Sequence, residues 1–230
     1  MEDDFRKEVI AYYDEFYRRE DFRYYSPSFT RRILSALCSR AGVKPGARVL
    51  DIGCGTGHYT AIFQAMGYDA LGIDISRTAV ERARELHPES RFAVEDATRL
   101  PFPKASFDLI FSLGVSVMST PDLTSIHAYI RHLMEFVAPG GSLILIGGSD
   151  LSGRRSKTSS WLYHTWDEIR RFVPNGPWTT EGPYLTHFRF VAAVPSLSLS
   201  MLLTTILRFL PLKTVWKTVY LIRAQGHEKE

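Results

Sequence analysis

The chain has 230 residues, 45% of them apolar and 23% charged, with 28 Lys and Arg against 25 Asp and Glu. That length and composition predict one domain of ordinary size whose core needs no disulfides, and they exclude collagen, coiled coil and wholesale disorder. Two cysteines, Cys38 and Cys54, are too few for a disulfide scaffold. They and the acidic opening Met1-Glu2-Asp3-Asp4, which lacks the basic start of a signal peptide, lead us to expect a cytoplasmic protein.

Charge is uneven along the chain. Residues 151–230 carry 11 Lys and Arg against 5 Asp and Glu, a balance of +6, which leaves 17 against 20, or −3, for residues 1–150. A basic region can face an anionic substrate or surface. Here the charges are scattered, which fits a solvated surface rather than a nucleic-acid tract.

In chain order, residues 3–20 read as an amphipathic helix, because Phe5, Val9, Tyr12 with Tyr13, and Phe16 recur at spacings of three and four. A second helix follows Pro27 and carries Ile33, Leu34 and Leu37. Lys44-Pro45-Gly46 breaks the chain before the strand Arg48–Ile52. Glycines at 53, 55 and 57 lead into a helix over 58–66, then the strand Ala70–Asp74 and a helix over 77–86 stopped by Pro88. Arg91–Glu95 and Phe107–Phe111 are the third and fourth strands. Thr120-Pro121-Asp122 predicts a helix start, as a cap, a first-turn proline and an acid, with a buried stripe of Leu123, Ile126, Ile130, Leu133 and Val137. Pro139-Gly140-Gly141 ends that helix, and Ser142–Ile146 is an apolar fifth strand. Short apolar strands alternating with helices specify an α/β, doubly wound, mostly parallel sheet covered on both faces.

After Gly148 the alternation fails. Residues 149–160 read as a loop, Thr165 caps a short helix through Val173, and Tyr184–Val191 reads as a strand. The segment 196–210 is rich in Leu, and Val215–Ile222 is the last strand. The stretch 190–207 holds no charge but contains Pro195 and several Ser and Thr, which argues against a spanning helix. Its Leu face suits core or dimer packing, with a groove or interfacial patch for a lipid-like acceptor as the alternative.

Val49-Leu50-Asp51-Ile52-Gly53-Cys54-Gly55-Thr56-Gly57 is the most informative stretch. Three glycines between a strand and a helix let the backbone turn tightly and let a ligand approach it closely. Asp74, 17 residues beyond Gly57 at the end of the next strand, stands where an acid accepts hydrogen bonds from ribose hydroxyls. A dinucleotide fingerprint needs glycine at position 58, where this chain has His58. Asp51 would repel a pyrophosphate and suits a ligand carrying an ammonium group.

With these residues in place, the chain resembles the class I S-adenosylmethionine-dependent methyltransferases of the small-molecule type, the Rossmann-like fold also called methyltransferase type 11-like. The resemblance covers roughly residues 45–147. It rests on Asp51 through Gly57, on Asp74, on Glu95-Asp96-Ala97, on Leu100-Pro101-Phe102 before Phe107-Asp108, and on Pro139-Gly140-Gly141 before a strand. It implies a sheet of about seven strands, with residues 1–40 as a helical lid, 45–147 as the cofactor core, 149–212 as an acceptor-side insertion and 213–223 as the last strand. It also implies S-adenosylmethionine as cofactor. Gly53, Cys54, Gly55 and Gly57 would shape the methionine pocket, Cys54 as a small filler, with Asp51 at the amino group. Asp74 would hold the ribose, with Ile75 packing on the adenine. Asp96 would take the adenine amino group and the Ala97 N–H a ring nitrogen. Ser112, Leu113 and Gly114 would line the pocket beside the sulfonium, Gly114 on the acceptor side.

Methyl transfer from a sulfonium asks mainly for alignment and exclusion of water. Where relatives often place a base beyond the fourth strand, this chain has Val115-Ser116-Val117-Met118. His164, in the cluster Trp161, Tyr163, His164 and Trp166, is the candidate base, with Trp161 and Tyr163 as acceptor-side residues; the alternative is a packing histidine. Tyr12 and Tyr13 are candidate pocket residues offering a ring face to the sulfonium, or else they cement the first helix to the sheet. No His or Cys cluster has zinc spacing, so no metal is expected. The expected partner is a small or medium-sized metabolite methylated on O or N, such as a sugar, a lipid-linked intermediate or a secondary metabolite. The protein is expected as a monomer or homodimer, with no membrane span and no nucleic acid. A non-catalytic cofactor-binding module is the alternative from another class, and a nucleic-acid methyltransferase lacks both a basic stripe and a base-flipping motif.

Overall fold

The computed structural model describes residues 2–19, 25–150, 156–157, 162–186 and 215–226. Helix α1 is Glu2–Arg19 and α2 is Pro27–Ala41. Ser26 caps α2 by accepting the Phe29 N–H, Pro27 fills the first turn, and Gly42 closes the helix in the left-handed conformation at φ 73°. The strands and helices β1 (Arg48–Ile52), α3 (His58–Ala65), β2 (Asp69–Asp74), α4 (Arg77–Leu86), β3 (Arg91–Val94) and β4 (Phe107–Leu113) then alternate as the sequence pattern predicts. A 3-10 turn at Ser116–Ser119 leads to α5 (Leu123–Met134) and β5 (Val137–Asp150). A two-strand hairpin, β6 (Ser156–Lys157) with β7 (Leu162–Tyr163), precedes α6 (Trp166–Ile169), β8 (Trp178–Thr186) and β9 (Val215–Ala224).

The main sheet has seven strands in the order β3-β2-β1-β4-β5-β9-β8. The first five are parallel, and β9 runs antiparallel to both β5 and β8. Successive strand residues point to opposite faces, so one strand feeds two cores. Leu50, Ile110, Leu143, Leu145 and Ile222 pack with Ile126, Ile130 and Leu133 of α5 and with Phe172. Val49, Leu109, Phe111, Ile144 and Ile146 pack with Leu34 of α2 and Phe63 of α3. Each side chain buried to this extent contributes about 1.5–3 kcal/mol of transfer free energy. The expected doubly wound sheet with helices on both faces is therefore the observed one. Because strand order reverses between β1 and β4, the carboxyl ends of these strands open a crevice at the switch point.

Three local expectations are corrected. The cap of α5 is Asp122, whose carboxylate accepts the Thr124 and Ser125 N–H groups at 2.9 and 3.2 Å, while the Thr120 hydroxyl accepts the Asp122 N–H. An ionised cap that reaches two donors outcompetes a hydroxyl. The helix then ends at Met134, so Val137 and Pro139-Gly140-Gly141 belong to β5. The ladder shifts register there, and a Cβ on Gly141 would stand 2.9 Å from the Ala138 and Asp108 carbonyl oxygens. The strand expected at 184–191 is β8 at Trp178–Thr186, set by pairing with β9 rather than by its own composition. The Leu-rich segment 196–210 lies outside the described residues.

Candidate functional site

The bend after β1 is built by backbone geometry. Gly53, Gly55 and Gly57 have φ of 70°, 53° and 85°, a region that costs an L-residue roughly 1–2 kcal/mol. The Gly53 and Cys54 N–H groups both donate to the Ile73 carbonyl, at 2.9 and 3.0 Å, which pins the bend to the end of β2. A Cβ on Gly57 would lie 2.5 Å from the Phe92 ring, and one on Gly53 3.1 Å from Val115. Gly57 is thus small for packing, whereas Gly53 is exposed and keeps room at the mouth of the crevice. Cys54 is buried, and burial pushes its thiol well above the usual range, which makes it a filler rather than a nucleophile.

Carboxylates stand at or just past the ends of three adjacent strands, β1, β2 and β3, and that of Asp74 reaches the bend itself. Asp51 near the end of β1 is 2% exposed and accepts the Thr60 hydroxyl at 2.6 Å. Burial pushes its carboxyl up to about 7; Thr60 opposes that shift and Asp74 adds to it. Asp74, the last residue of β2, accepts the Gly55 N–H on Oδ2 at 3.0 Å and the Ser76 N–H on Oδ1 at 2.9 Å. Burial raises this carboxyl too, against those backbone bonds. Asp96, just past β3, accepts the Thr98 N–H and hydroxyl on Oδ1 at 2.8 and 2.7 Å, and Arg6 Nε on Oδ2 at 2.6 Å. Burial pushes Asp96 up, but these bonds and the guanidinium outweigh it and leave the carboxyl low. A cationic ligand bearing hydroxyl and amino donors would relieve the desolvation of Asp51 and Asp74, so the donor set fits a sulfonium nucleoside. Ile75 and Ala97, each next to one of these acids, are half-buried.

The far wall comes from the end of β4. Ser112 is fully buried, and its hydroxyl and that of Tyr129 on α5 face each other without a hydrogen bond within 3.5 Å. Leu113, Gly114, Val115, Ser116 and Val117 are half-buried, and the Gly114 N–H donates to Ile146. Helix α1 crosses to this wall. Tyr13 is half-buried with its hydroxyl directed to Ser116 and within electrostatic reach of Asp74, and burial pushes its phenol up. Tyr12 is 46% exposed and meets Tyr13 edge-on, so of the two expected tyrosines the fold brings Tyr13 to the wall.

The hairpin holds the wall from behind. The Leu162 N–H donates to Ser119 Oγ at 2.7 Å, beside the half-buried Tyr163. His164 is 2% exposed, with Nε2 bonded to the Met118 carbonyl at 2.9 Å, Nδ1 3.5 Å from Glu168 and its ring edge-on to Phe172. A carbonyl only accepts, so Nε2 carries a proton, and Nδ1 faces a carboxylate. Placed this way, the histidine packs against the 3-10 turn through Nε2, the arrangement expected of the packing alternative. Trp161 lies outside the described residues.

Four residues of this region escaped the sequence reading: Thr60, Arg6, Asp14 and Ser116. None carries a local signal, since each acts across 9 to 103 positions of chain. A surface hollow of about 480 Å³ lined by Arg31, Ser35, Ser39, Lys44 and Tyr68 shares no residue with the carboxylates and adjoins the start of β1, not its end. Among the described residues, no group of His, Cys, Asp and Glu could hold a metal ion.

Residues 49–141 match the methyltransferase domain family. The 2-methyl-6-phytyl-1,4-hydroquinone methyltransferase of Synechocystis is 36% identical over 121 residues, 51% of this chain and 37% of that protein. The 27-O-demethylrifamycin SV methyltransferase of Amycolatopsis mediterranei is 36% identical over 124 residues, 50% of this chain and 44% of that protein. The match thus spans less than half the length of both curated relatives. Among solved structures, magnesium protoporphyrin IX methyltransferase from Synechocystis with bound S-adenosylmethionine superposes with a TM-score of 0.61 at 17% identity, covering 96% of this chain and 97% of that one. The fold and its switch-point crevice define a Rossmann-like α/β domain. In particular, residues 49–141 are those of a methyltransferase domain similar to the class I S-adenosylmethionine-dependent, small-molecule type, and S-adenosylmethionine is the cofactor of that family.

Proposed function

We propose that the chain transfers a methyl group from S-adenosylmethionine to a phenolic or similarly acidic hydroxyl of a small or medium-sized, predominantly apolar acceptor, with an amine nitrogen as the related case. The observation that carries the reading is the row of buried carboxylates Asp51, Asp74 and Asp96 at the carboxyl ends of the adjacent strands β1, β2 and β3, beside a glycine bend whose Gly55 N–H is held by Asp74 and whose Gly53 lies against Val115. In this reading Asp51 balances the ammonium, Gly53, Cys54, Gly55 and Gly57 shape the methionine pocket, and Asp74 accepts from the ribose. Ile75 and Ala97 flank the adenine, Asp96 accepts from its amino group, and Ser112 and Leu113 lie beside the sulfur. Tyr13, Gly114 and Tyr163 face the acceptor, with Tyr12 at the rim. By chain segment, residues 1–40 serve as the lid, 45–147 as the cofactor core and 149–212 as the acceptor-side insertion, with 213–223 closing the sheet.

The bound cofactor supplies an already activated methyl group. The protein's own part is to orient and to exclude water, and the close ring of Tyr13 and the apolar wall do both. From Ser112 to Ser119 there is no His, Asp, Glu or Lys to take an early proton. An acceptor whose proton is already acidic needs no such base, which favours a phenol over a sugar alcohol. The two relatives at 36% identity are named for a phytyl hydroquinone and a 27-O-demethyl compound, which supports a medium-sized acceptor that carries hydroxyl groups. The missing base also keeps one second reading, a cofactor-binding module without turnover.

The test is incubation with methyl-labelled donor and a panel of prenylated and simple hydroquinones, amines and sugar nucleotides, read by mass spectrometry. A methyl added to a hydroquinone oxygen supports the proposal, and transfer to a ring carbon or to sugars alone overturns the acceptor class. Tight binding with no transfer to any compound favours the module.

A further inference from the structure

Helix α1 meets the crevice at two points of different character. Its second half is anchored on α4. Asp14 Oδ1 accepts the Ser76 hydroxyl at 2.6 Å and the Thr78 N–H at 3.1 Å, and Arg82 donates to the Tyr17 carbonyl. The anchor sits on the positive end of α4, where a carboxylate is favoured. Ser76 in turn donates its N–H to Asp74 at 2.9 Å, so Asp14 holds the loop that positions the ribose acid. The first half of α1 reaches the crevice through Arg6, whose Nε lies 2.6 Å from Asp96 Oδ2 with 43% of its side chain exposed. Two turns separate Arg6 from Asp14, about 12 Å along the axis.

Oδ1 of Asp96 already accepts two bonds from Thr98, so Oδ2 is the oxygen left for a ligand, and Arg6 holds it. We propose that Arg6 competes with the adenine amino group for Asp96 Oδ2, so that cofactor binding must displace the first turns of α1 while the helix stays pivoted on Asp14. This rests on the reading of Asp96 as the adenine acceptor. A guanidinium is a stronger partner for a carboxylate than a neutral aromatic amine, yet a half-exposed ion pair is weak enough to yield. Arg18 and Arg19 pair with Glu15 within α1 itself, whereas Arg6 crosses 90 positions of chain to a carboxylate at the crevice. The device would make the apo protein closed and would set the cofactor affinity below what the carboxylates alone allow.

Calorimetric titration with S-adenosylhomocysteine tests this directly. Arg6→Ala should bind it about three- to fivefold more tightly than the wild type, the span of an exposed ion pair. With the hypoxanthine analogue, which presents an oxygen in place of the amino group, the same substitution should give no gain. Hydrogen exchange on the wild type should show residues 6–10 losing protection when the ligand binds, with residues 14–19 keeping theirs. Unchanged or weaker binding by Arg6→Ala, or an equal gain with both ligands, overturns the competition. If neither protein binds S-adenosylhomocysteine at all while both melt as folded proteins, the reading of the site fails and the inference falls with it.

Discussion

Thr60 of α3 donates its hydroxyl hydrogen to Asp51 of β1 across 2.6 Å, and both side chains are buried. The bond acts on the charge state of the acid two residues before the glycine bend, since it opposes the desolvation that lifts the carboxyl. Thr60→Val keeps the shape and removes the donor. At pH 8, where Asp51 is largely ionised, the change should cost about 1.5–3 kcal/mol, as expected for a hydrogen bond to a buried charge. Urea unfolding monitored by circular dichroism measures it, and an unchanged midpoint would show that the bond contributes nothing to stability at that pH.

Asp51 also makes stability and affinity respond to pH in opposite directions. Its carboxyl is lifted to about 7 in the fold, against about 4 in an unfolded chain. Between those values the folded state holds the extra proton. Its contribution to stability is therefore fully present below about pH 4 and lost as pH rises through about 7. Affinity for a cationic ligand needs the ionised form, so S-adenosylmethionine should bind more tightly from pH 6 to pH 8, with proton release near neutrality. Calorimetry in two buffers of different ionisation enthalpy detects that proton, and Asp51→Asn should abolish both the release and the trend.

Asp74→Ala removes the acceptor that holds the Gly55 and Ser76 N–H groups and, in the proposed reading, the ribose. Loss of charge-assisted bonds of this kind predicts S-adenosylhomocysteine affinity about tenfold to hundredfold weaker. Equilibrium binding on the folded variant checks it, with Asp74→Asn expected in between.

Gly57→Ala places a Cβ 2.5 Å from the Phe92 ring at a residue whose φ is 85°. The left-handed backbone alone costs roughly 1–2 kcal/mol, before the clash in the buried cluster of Cys54, Val80, Ala83 and Phe92. Thermal unfolding should fall by about 2–8 °C. Gly140→Ala, where φ is 75° but nothing lies within 4 Å of the added carbon, isolates the backbone share.

His164→Leu strips the Met118 carbonyl of its buried donor, which should cost about 1–3 kcal/mol. As a buttress, His164 should affect KM for the acceptor and leave the pH profile of turnover in place. Disappearance of a titration from that profile would instead make it a proton acceptor in the reaction.

Period and punctuation made the frame legible from the residues alone. Apolar runs of three or four such as Leu109–Phe111 and Leu143–Ile146, with helical stripes between them, specify a buried parallel sheet, because backbone pairing and burial act on every strand alike. Gly53, Gly55 and Gly57 declare their turn, since only glycine adopts those angles at low cost. Asp51, Asp74 and Asp96 are marked by their places at successive strand ends. Tertiary structure alone decided the rest. It chose Asp122 over Thr120 as the cap of α5, drew β8 back to Trp178 by pairing it with β9, and turned His164 inward between Met118 and Glu168. It also set Arg6 on Asp96 and Thr60 on Asp51. Periodicity reports which face of an element is buried, but a hydrogen bond between side chains depends on distances fixed only when separate elements dock, and no spacing in the chain encodes those distances.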